Sequence, residues 1–317
     1  MKASTFKTCR RSYLSRLQNI GGWGFFYCCT VLLAQIINVA NETNNYPTLV
    51  DTSEEAHSFT VINTSTLFDM YNPRKTGIFF DFFSCNSEII IPNSVPIDFH
   101  AMYQCNSYYT IDYHNICPVV KKYFSPSEKV LDVKKALIKN YTIEPEKCIG
   151  VYYRGTDKCT ETVLAPFSQF KDKLDKIKTG EKIVLVTDSQ QCREYFEREY
   201  GDDLICFKEN KVSNANVGIH FANSKSTNYN DMFNLFASLL IISGCKNILC
   251  GSGNGSLWIM LFRGNCEGIY QILDKKWIEG NDTSIVAKHK VIPIPKQPLH
   301  RSKQTPIGFK MHPRKYI

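Results

Sequence analysis

Residues 247–262 read NILCGSGNGSLWIMLF: an apolar run, a turn rich in glycine and serine, and a second apolar run. The first run predicts a buried strand at 247–250 and the second a helix at 256–262. A strand that leads through such a turn into a helix is the repeating unit of a parallel sheet covered by helices. The glycines would let the backbone approach a ligand, and the amides at the start of the helix would face an anion there. The structural alternative is a turn that binds nothing.

The same alternation of apolar runs and amphipathic stretches extends through the second half of the chain. It predicts strands at 148–153, 183–187, 204–207, 217–221 and 268–273, and helices at 166–178, 190–200 and 231–242. Weaker patterns in the first half predict strands at 48–51, 58–63 and 77–83 and a capped helix at 127–140. Repeated strand–helix units of this kind favour an α/β fold with doubly wound parallel sheets.

The segment TIEPEK at 142–147 is the best candidate for a boundary between domains. We therefore predict two α/β domains that face each other across a cleft, at 1–142 and 143–290. A basic tail that contains several prolines follows at 291–317.

The net charge of +8 comes from the two ends of the 317-residue chain. Residues 1–41 hold five lysines and arginines and residues 283–317 hold eight, and neither segment contains an acidic residue. Removing these thirteen from the total of 38 leaves 25 basic residues against 30 acidic ones. A nucleic-acid-binding protein is expected to carry its basic stripe on the folded body, so we predict no nucleic-acid partner. The tail is expected to wrap the surface in extended form or to meet an anionic partner.

The thirteen cysteines are scattered, several lie inside apolar runs, and no CxxC pair occurs. Thiols in such runs behave as small apolar side chains, and this usage predicts a reduced, cytoplasmic protein without a zinc site. The alternative is a type II membrane anchor at 22–40, which would place the chain in the lumen of the Golgi or endoplasmic reticulum. Thr30, Gln35 and Asn38 interrupt that run. A glycine-rich turn entering an apolar helix is also how a nucleotide-binding α/β domain often begins.

Polar residues follow three of the predicted strands, and the carboxyl ends of parallel strands are where such sheets bind ligands. RGTDK at 154–158 follows the first, DSQ at 188–190 the second, and GSGNGS at 251–256 the third. Arg154 carries a fork of donors that suits a diphosphate, so the three segments together predict a phosphate-bearing substrate. Alternatively, Arg154 forms a structural ion pair with Asp157, and Asp188 only caps the next helix. Neither GxxxxGKS/T nor GxGxxG occurs, which argues against a P-loop kinase or a dinucleotide-dependent dehydrogenase.

These segments resemble those of the fucosyltransferase superfamily, which includes α1,6- and α1,2-fucosyltransferases, nodulation fucosyltransferases and protein O-fucosyltransferases. GVYYRGTDK at 150–158 is similar to the family's GVHVRRTDK segment, and VLVTD at 184–188 to its LATDD strand end. Residues 231–264 resemble its donor-binding block, and IGGWG at 20–24 its opening GGxGN turn. The chain is also similar to compact glycosyltransferases of large algal viruses.

The resemblance implies a GT-B fold with two Rossmann-like domains and an inverting, metal-independent glycosyltransferase. The second domain would bind the nucleotide sugar, GDP-fucose in the family, and the first a glycan or glycoprotein acceptor. Arg154 matches the arginine that neutralises the leaving diphosphate, and the chain has no D-x-D pair of the kind that holds a metal. No cofactor is expected besides the nucleotide-sugar co-substrate. The residues that we place on the donor are Gly22, Arg154, Lys158, Asp188, Ser252, Gly253, Asn254, Gly255 and Ser256.

Several positions depart from the family pattern. The family's histidine is Tyr152 here, its second arginine is Gly155, and the glutamate that serves as its base is Thr162. Removing a proton from the acceptor hydroxyl needs a group within hydrogen-bond reach. We therefore nominate Glu161 as the catalytic base, with Asp157 in reserve. The departures leave open another donor, such as UDP-xylose, and a non-catalytic nucleotide- or glycan-binding module.

Overall fold

The structure is a computed structural model. It describes residues 24–47, 50–51, 62–63, 67–74, 76–91, 96–100, 103–160, 163–273 and 275–278. Residues 1–287 group as one compact unit, and residues 288–317, a second unit, lie outside the described residues. The division into domains at 142/143 and the basic tail stay predictions.

The first half of the chain is mainly helical. Its helices are α1 (Phe25–Thr43), α2 (Phe79–Phe82), α3 (Tyr113–Tyr123) and α4 (Glu128–Tyr141), and its strands are β1 (Val50–Asp51), β2 (Ile62–Asn63), β3 (Phe83–Ser84) and β4 (Ser125–Pro126). β1 pairs with β2 in parallel and β3 with β4 antiparallel. The predicted helix at 127–140 is α4, and Ser127 caps it by accepting a hydrogen bond from the amide of Val130.

The strand predicted at 77–83 is wrong over most of its length, because Phe79–Phe82 form the short helix α2. In a strand, alternate residues share a face, which would put Asp81 on the buried side together with Phe79 and Phe83. In the helix, Phe79 and Phe82 lie three residues apart and both enter the core, while Phe80 is left exposed. Phe82 then stacks on Phe233 with ring centroids 4.3 Å apart.

The second half forms a six-stranded sheet covered by helices. Its strands are β5 (Cys148–Tyr153), β6 (Lys182–Thr187), β7 (Leu204–Cys206), β8 (Asn247–Gly251), β9 (Ile269–Leu273) and β10 (Lys276–Ile278). The helices are α5 (Phe167–Ile177), α6 (Gln190–Tyr200), α7 (Ile219–Ala222), α8 (Lys225–Ser243) and α9 (Asn254–Arg263). These elements confirm the mixed α/β fold class and every strand–helix unit predicted between 148 and 273 except the strand at 217–221.

The strands lie in the order β10-β9-β8-β5-β6-β7, and all neighbours are parallel except β9 and β10. From β5 the chain moves outward through β6 to β7, then returns to the other side of β5 with β8 and β9. The order therefore reverses between β5 and β8. In sheets of this kind a ligand binds at that reversal, outside the carboxyl ends of the strands.

The strand predicted at 217–221 is wrong, because Ile219–Ala222 form the short helix α7. The sequence VGIHF alternates apolar and small or polar residues, which suggested a strand with a buried apolar face. In the structure Val217 and Phe221 are exposed, and the polar His220 is buried instead. This segment thus presents two apolar side chains to solvent and turns its imidazole inward.

The apolar helix α1 is part of the core. Phe25 contacts the rings of Phe68 and Phe82, and the indole nitrogen of Trp258 donates to the hydroxyl of Thr30 at 3.0 Å. α1 is long and apolar enough to cross a membrane, and 61% of its 18-residue apolar window is buried inside the protein. Its apolar surface is therefore already used for packing against other elements. The cytoplasmic location and its membrane-anchored alternative stay predictions.

Candidate functional site

The reversal between β5 and β8 brings together the three polar segments predicted at one sheet edge. Residues 154–158 directly follow β5, Asp188 directly follows β6, and the turn at 251–256 connects β8 to α9. Hydrogen bonds link the first two segments, and Lys158 lies against the third. Gly22 and Glu161, predicted as donor-binding and catalytic residues, lie outside the described residues.

Arg154 is held at this edge by two carboxylates. Its Nη2 donates to both oxygens of Asp157, at 2.7 and 2.9 Å, and its Nε donates to Oδ2 of Asp188 at 3.3 Å. Its Nη1 faces the start of α1, because a Cβ placed on Gly24 would lie 3.8 Å from that nitrogen. The side chain is 32% exposed, so the guanidinium is fixed in orientation and still reachable by a ligand.

Asp188 organises the loop after β5. Its carboxylate accepts from the amide of Gly155 at 2.7 Å and from the hydroxyl of Thr156 at 2.7 Å, besides its contact with Arg154. It is not the cap of α6, because Ser189 fills that role by accepting from the amide of Cys192 at 3.2 Å. The alternative that Asp188 only caps a helix is therefore wrong.

The loop after β5 also explains why glycine stands at 155. A Cβ placed on Gly155 would lie 2.9 Å from Cβ of Ser189 and 3.0 Å from the ring of Tyr153. Real Cβ atoms make such contacts only when a neighbour shifts. A second arginine could not occupy this position without moving the loop.

Asp157 is suited to orienting Arg154 and poorly suited to accepting a proton. Its burial alone would raise the pKa of Asp157, but the charge and hydrogen bond of Arg154, with a contribution from His220, lower that pKa. A carboxylate with a lowered pKa is a weak base. His220 was not among the predicted site residues, because a single histidine in an apolar stretch gives no signal of a partner that lies far away in sequence.

The pair of Asp157 and Arg154 should make stability depend on pH. A carboxylate whose pKa is lowered by folding stabilises the protein above its ordinary pKa, here 3.8, and that contribution is lost as the pH falls below this value. We expect Asp157→Asn to lower the free energy of unfolding by about 1.5–3 kcal/mol near pH 7, the range for hydrogen bonds to charged groups. The difference from the wild type should shrink below about pH 4. Urea titrations of both proteins between about pH 3 and pH 7 measure their free energies of unfolding. A difference that does not change with pH would contradict the lowered pKa of Asp157.

The turn at 251–256 ends at the N-terminus of α9. The amides of Asn254, Gly255 and Ser256 are the first three of this helix and have no partner within it. Outside the helix too, none of the described residues accepts a hydrogen bond from these three amides. The amide of Gly253, in contrast, donates to the hydroxyl of Tyr108 at 3.0 Å. The role of Gly253 on the donor stays a prediction.

The side-chain oxygens of the turn bind within the protein. The hydroxyl of Ser252 donates to the carbonyl of Ile272, that of Ser256 donates to the carbonyl of Gly251, and Oδ1 of Asn254 accepts from Thr30. These contacts fix the shape of the turn and leave its backbone amides as the groups that can meet an anion. The roles of these three side chains on the donor stay predictions.

Two residues that the sequence analysis missed, Tyr108 and Gln271, fasten the turn to the first half of the chain. The Tyr108 hydroxyl accepts from the amide of Gly253 and donates to its carbonyl, both at 3.0 Å. Gln271, on β9, is fully buried; its Oε1 accepts from the amide of Tyr108 at 2.8 Å and its Nε2 donates to the hydroxyl of Ser252 at 2.9 Å. In the sequence, Gln271 could have been noticed as the single amide side chain within the apolar strand IYQIL, because a buried amide needs hydrogen-bond partners.

A second cation lies beside the turn. A Cβ placed on Gly253 would meet Cε and Nζ of Lys158 at 3.7 and 3.8 Å. The edge thus combines Arg154, Lys158 and the free amides of α9, all of which attract an anion with several oxygens. Asp157 and Asp188 already occupy Nη2 and Nε of Arg154, so Nη1 is the part of the guanidinium that an anion would meet.

Neither the protein-family models nor the curated proteins gave a match. Among solved structures, NodZ α-1,6-fucosyltransferase soaked with GDP-fucose shares 13% identity and a TM-score of 0.37, with 53% of this chain and 54% of that chain covered. NodZ from Bradyrhizobium shares 13% identity and a TM-score of 0.32, with 48% and 45% covered.

A mutant of FUT1 from Arabidopsis thaliana in complex with GDP shares 14% identity and a TM-score of 0.30, with 50% of this chain and 34% of that chain covered. These three structural neighbours are fucosyltransferases, and this chain spans about half of their length or less.

Proposed function

We propose that this chain is a glycosyltransferase that uses a nucleotide-sugar donor, with the diphosphate of the donor bound at the reversal between β5 and β8. The observation that carries the proposal is Arg154, fixed by Asp157 and Asp188 and close to the start of α1. Lys158 and the unbonded amides at the start of α9 supply further donors at the same edge. The resemblance of residues 150–158 to the fucosyltransferase motif agrees with this role for Arg154.

The proposed reaction is an inverting transfer. The acceptor hydroxyl attacks the anomeric carbon from the side opposite the diphosphate, the bond between that carbon and the diphosphate oxygen breaks, and its electron pair stays on the diphosphate. Arg154 neutralises the charge that gathers there, and a group fixed in advance stabilises such charge without reorganising. Glu161 is the group that we propose to take the proton of the acceptor hydroxyl.

GDP-fucose is the donor that we propose first, because both the RGTDK and GSGNGS segments resemble fucosyltransferase motifs. UDP-xylose is the alternative, because Tyr152 and Gly155 depart from the family pattern. We propose that the transfer needs no metal, because Arg154 and Lys158 can neutralise a diphosphate directly.

A thermal-shift panel of nucleotide sugars in EDTA tests the proposal. A ligand that binds only the native state at about 100 times its Kd stabilises it by about 2.7 kcal/mol, which raises the melting temperature. We expect a shift with GDP-fucose, and the panel also contains GDP-mannose, UDP-xylose, UDP-glucose and UDP-galactose. A shift with a UDP sugar but not with GDP-fucose would identify that UDP sugar as the donor in place of GDP-fucose. No shift with any of them, with or without added Mn²⁺, would contradict the proposed function.

Catalysis requires a second measurement, because a non-catalytic binding module would also show a thermal shift with the donor. We expect slow hydrolysis of the donor that shifted the melting temperature, detected as release of its nucleoside diphosphate. Selective binding without any hydrolysis or transfer would favour the non-catalytic module.

A further inference from the structure

The side chain of Tyr152 lies at the reversal between β5 and β8. Tyr152 is the next-to-last residue of β5, is only 7% exposed, and packs on the core face that carries α1, α8 and α9. Its ring lies directly against the first turn of α9, because a Cβ placed on Gly255 would be 2.3 Å from the Tyr152 hydroxyl oxygen and 2.7 Å from Cζ. The hydroxyl is therefore next to the helix start whose amides are unbonded.

No described residue forms a hydrogen bond with the Tyr152 hydroxyl, and its oxygen is not one of the fully enclosed polar atoms without a partner, so it remains accessible to solvent. Its neighbour Tyr153, on the opposite face of β5, donates to the carbonyl of Ala165 at 3.1 Å, and Tyr108 binds Gly253. The ring is buried, and an accessible hydroxyl at the end of a buried ring can take water or a ligand as its partner. The Tyr152 hydroxyl lies next to Gly255 and close enough to Arg154 to feel its charge. A ligand bound at this edge could therefore contact the hydroxyl.

The protonation state of this hydroxyl is well defined. Burial raises the pKa of Tyr152 to about 12, although the positive charge of Arg154 acts in the opposite direction. At neutral pH the group is therefore an uncharged hydrogen-bond donor. Even a phosphate monoester, with a second pKa of about 6, is too weak a base to take its proton, and the doubly esterified phosphates of a nucleotide sugar are weaker bases still.

We infer that the Tyr152 hydroxyl donates a hydrogen bond to a phosphate oxygen of the nucleotide-sugar donor, between Arg154 and the start of α9. The inference rests on the proposed function. When the bond between the anomeric carbon and the diphosphate breaks, negative charge grows on the diphosphate and this hydrogen bond strengthens. Tyr152 keeps its proton throughout and stabilises the leaving group as a fixed dipole.

Titration calorimetry with GDP in EDTA, with UDP as the second probe, tests the inference. Tyr152→Phe keeps the ring that packs against Gly255 and removes only the hydroxyl. We expect it to bind the preferred nucleotide about tenfold more weakly or worse, which corresponds to about 1.4 kcal/mol or more. Its melting temperature without ligand should stay close to that of the wild type, because the hydroxyl has no partner among the described residues.

Tyr153→Phe is the matched control, because it removes the neighbouring hydroxyl on the other face of the same strand. We expect this variant to have a lower melting temperature, since the carbonyl of Ala165 loses its donor, and to bind the nucleotide as the wild type does.

Wild-type affinity in Tyr152→Phe would overturn the inference and leave the proposed function intact. An equal loss of affinity in Tyr153→Phe would also overturn it, because the effect would then come from the strand and not from a contact with phosphate. A wild type that binds neither GDP nor UDP would overturn both the inference and the proposed function.

Discussion

Replacing Arg154 with alanine should lower kcat by about 100-fold or more, the loss typical of removing one preorganised electrostatic contact at a developing charge. Two carboxylates orient the guanidinium, so in the proposed reaction the wild-type protein would spend little free energy on arranging it when the diphosphate leaves. In the variant those carboxylates would face the diphosphate without their cation, which adds repulsion to the lost attraction. Release of nucleoside diphosphate at saturating donor and acceptor measures kcat directly.

Two further variants separate charge, geometry and folding. Arg154→Lys keeps the positive charge but cannot contact Asp157 and Asp188 simultaneously through a planar fork, so its kcat should lie between those of the wild type and Arg154→Ala. Arg263→Ala removes an arginine whose hydrogen-bond partners among the described residues are all backbone carbonyls, among them those of Ser243 and Cys245. It should lower stability and leave turnover unchanged. Wild-type turnover in folded Arg154→Ala would exclude the leaving-group role.

Replacing Gly255 with alanine should be the most damaging small change in the turn. The added Cβ would lie 2.3 Å from the Tyr152 hydroxyl oxygen and 2.7 and 2.9 Å from two atoms of its ring. Neither partner can yield easily, because the ring belongs to the core and the glycine to a helix start, and such overpacking typically costs about 1–3 kcal/mol. Thermal and urea unfolding measure this loss, and donor binding should fall with it because the first turn of α9 must shift.

Gly251→Ala is the matched control within the same turn, since a Cβ there meets nothing within 4 Å. It should unfold like the wild type. Combining Gly255→Ala with Tyr152→Leu should restore part of the loss, with a coupling free energy of about 1 kcal/mol or more between the two positions. The predicted clash between an alanine at 255 and Tyr152 would be contradicted by either of two results. One is that the effects of Gly255→Ala and Tyr152→Leu simply add, and the other is that Gly255→Ala and Gly251→Ala are equally stable.

The second half of the chain could be predicted from sequence because its signals are local. β5 is a six-residue run whose side chains are all buried, and α6 begins directly after Ser189, whose hydroxyl caps it. The sheet edge followed from these elements, because residues that come directly after parallel strands must meet there. Arg154, Asp188 and the turn at 251–256 were found in this way.

Apart from α4, most of the first half could not be predicted from sequence, because its structure depends on contacts between residues that are distant in sequence. The segment FFDF at 79–82 forms a helix and not a strand, since Phe82 packs on Phe233 and Phe79 on Phe124. Tyr108 and Gln271 hold the turn together across 163 residues of chain, and no local pattern indicates such a pairing. His220 was missed for the same reason.

The hydrogen bonds of Tyr108 and Thr30 to Gly253 and Asn254 have a consequence for protein engineering. Both contacts come from the first half of the chain and both shape the turn of the second. A chimera that joins the second half of this protein to the first half of another protein would lose them unless the incoming half supplied equivalent hydroxyls. Exchanging halves therefore requires a tyrosine and a threonine at matching positions in the incoming half, so that the turn at 251–256 keeps its shape.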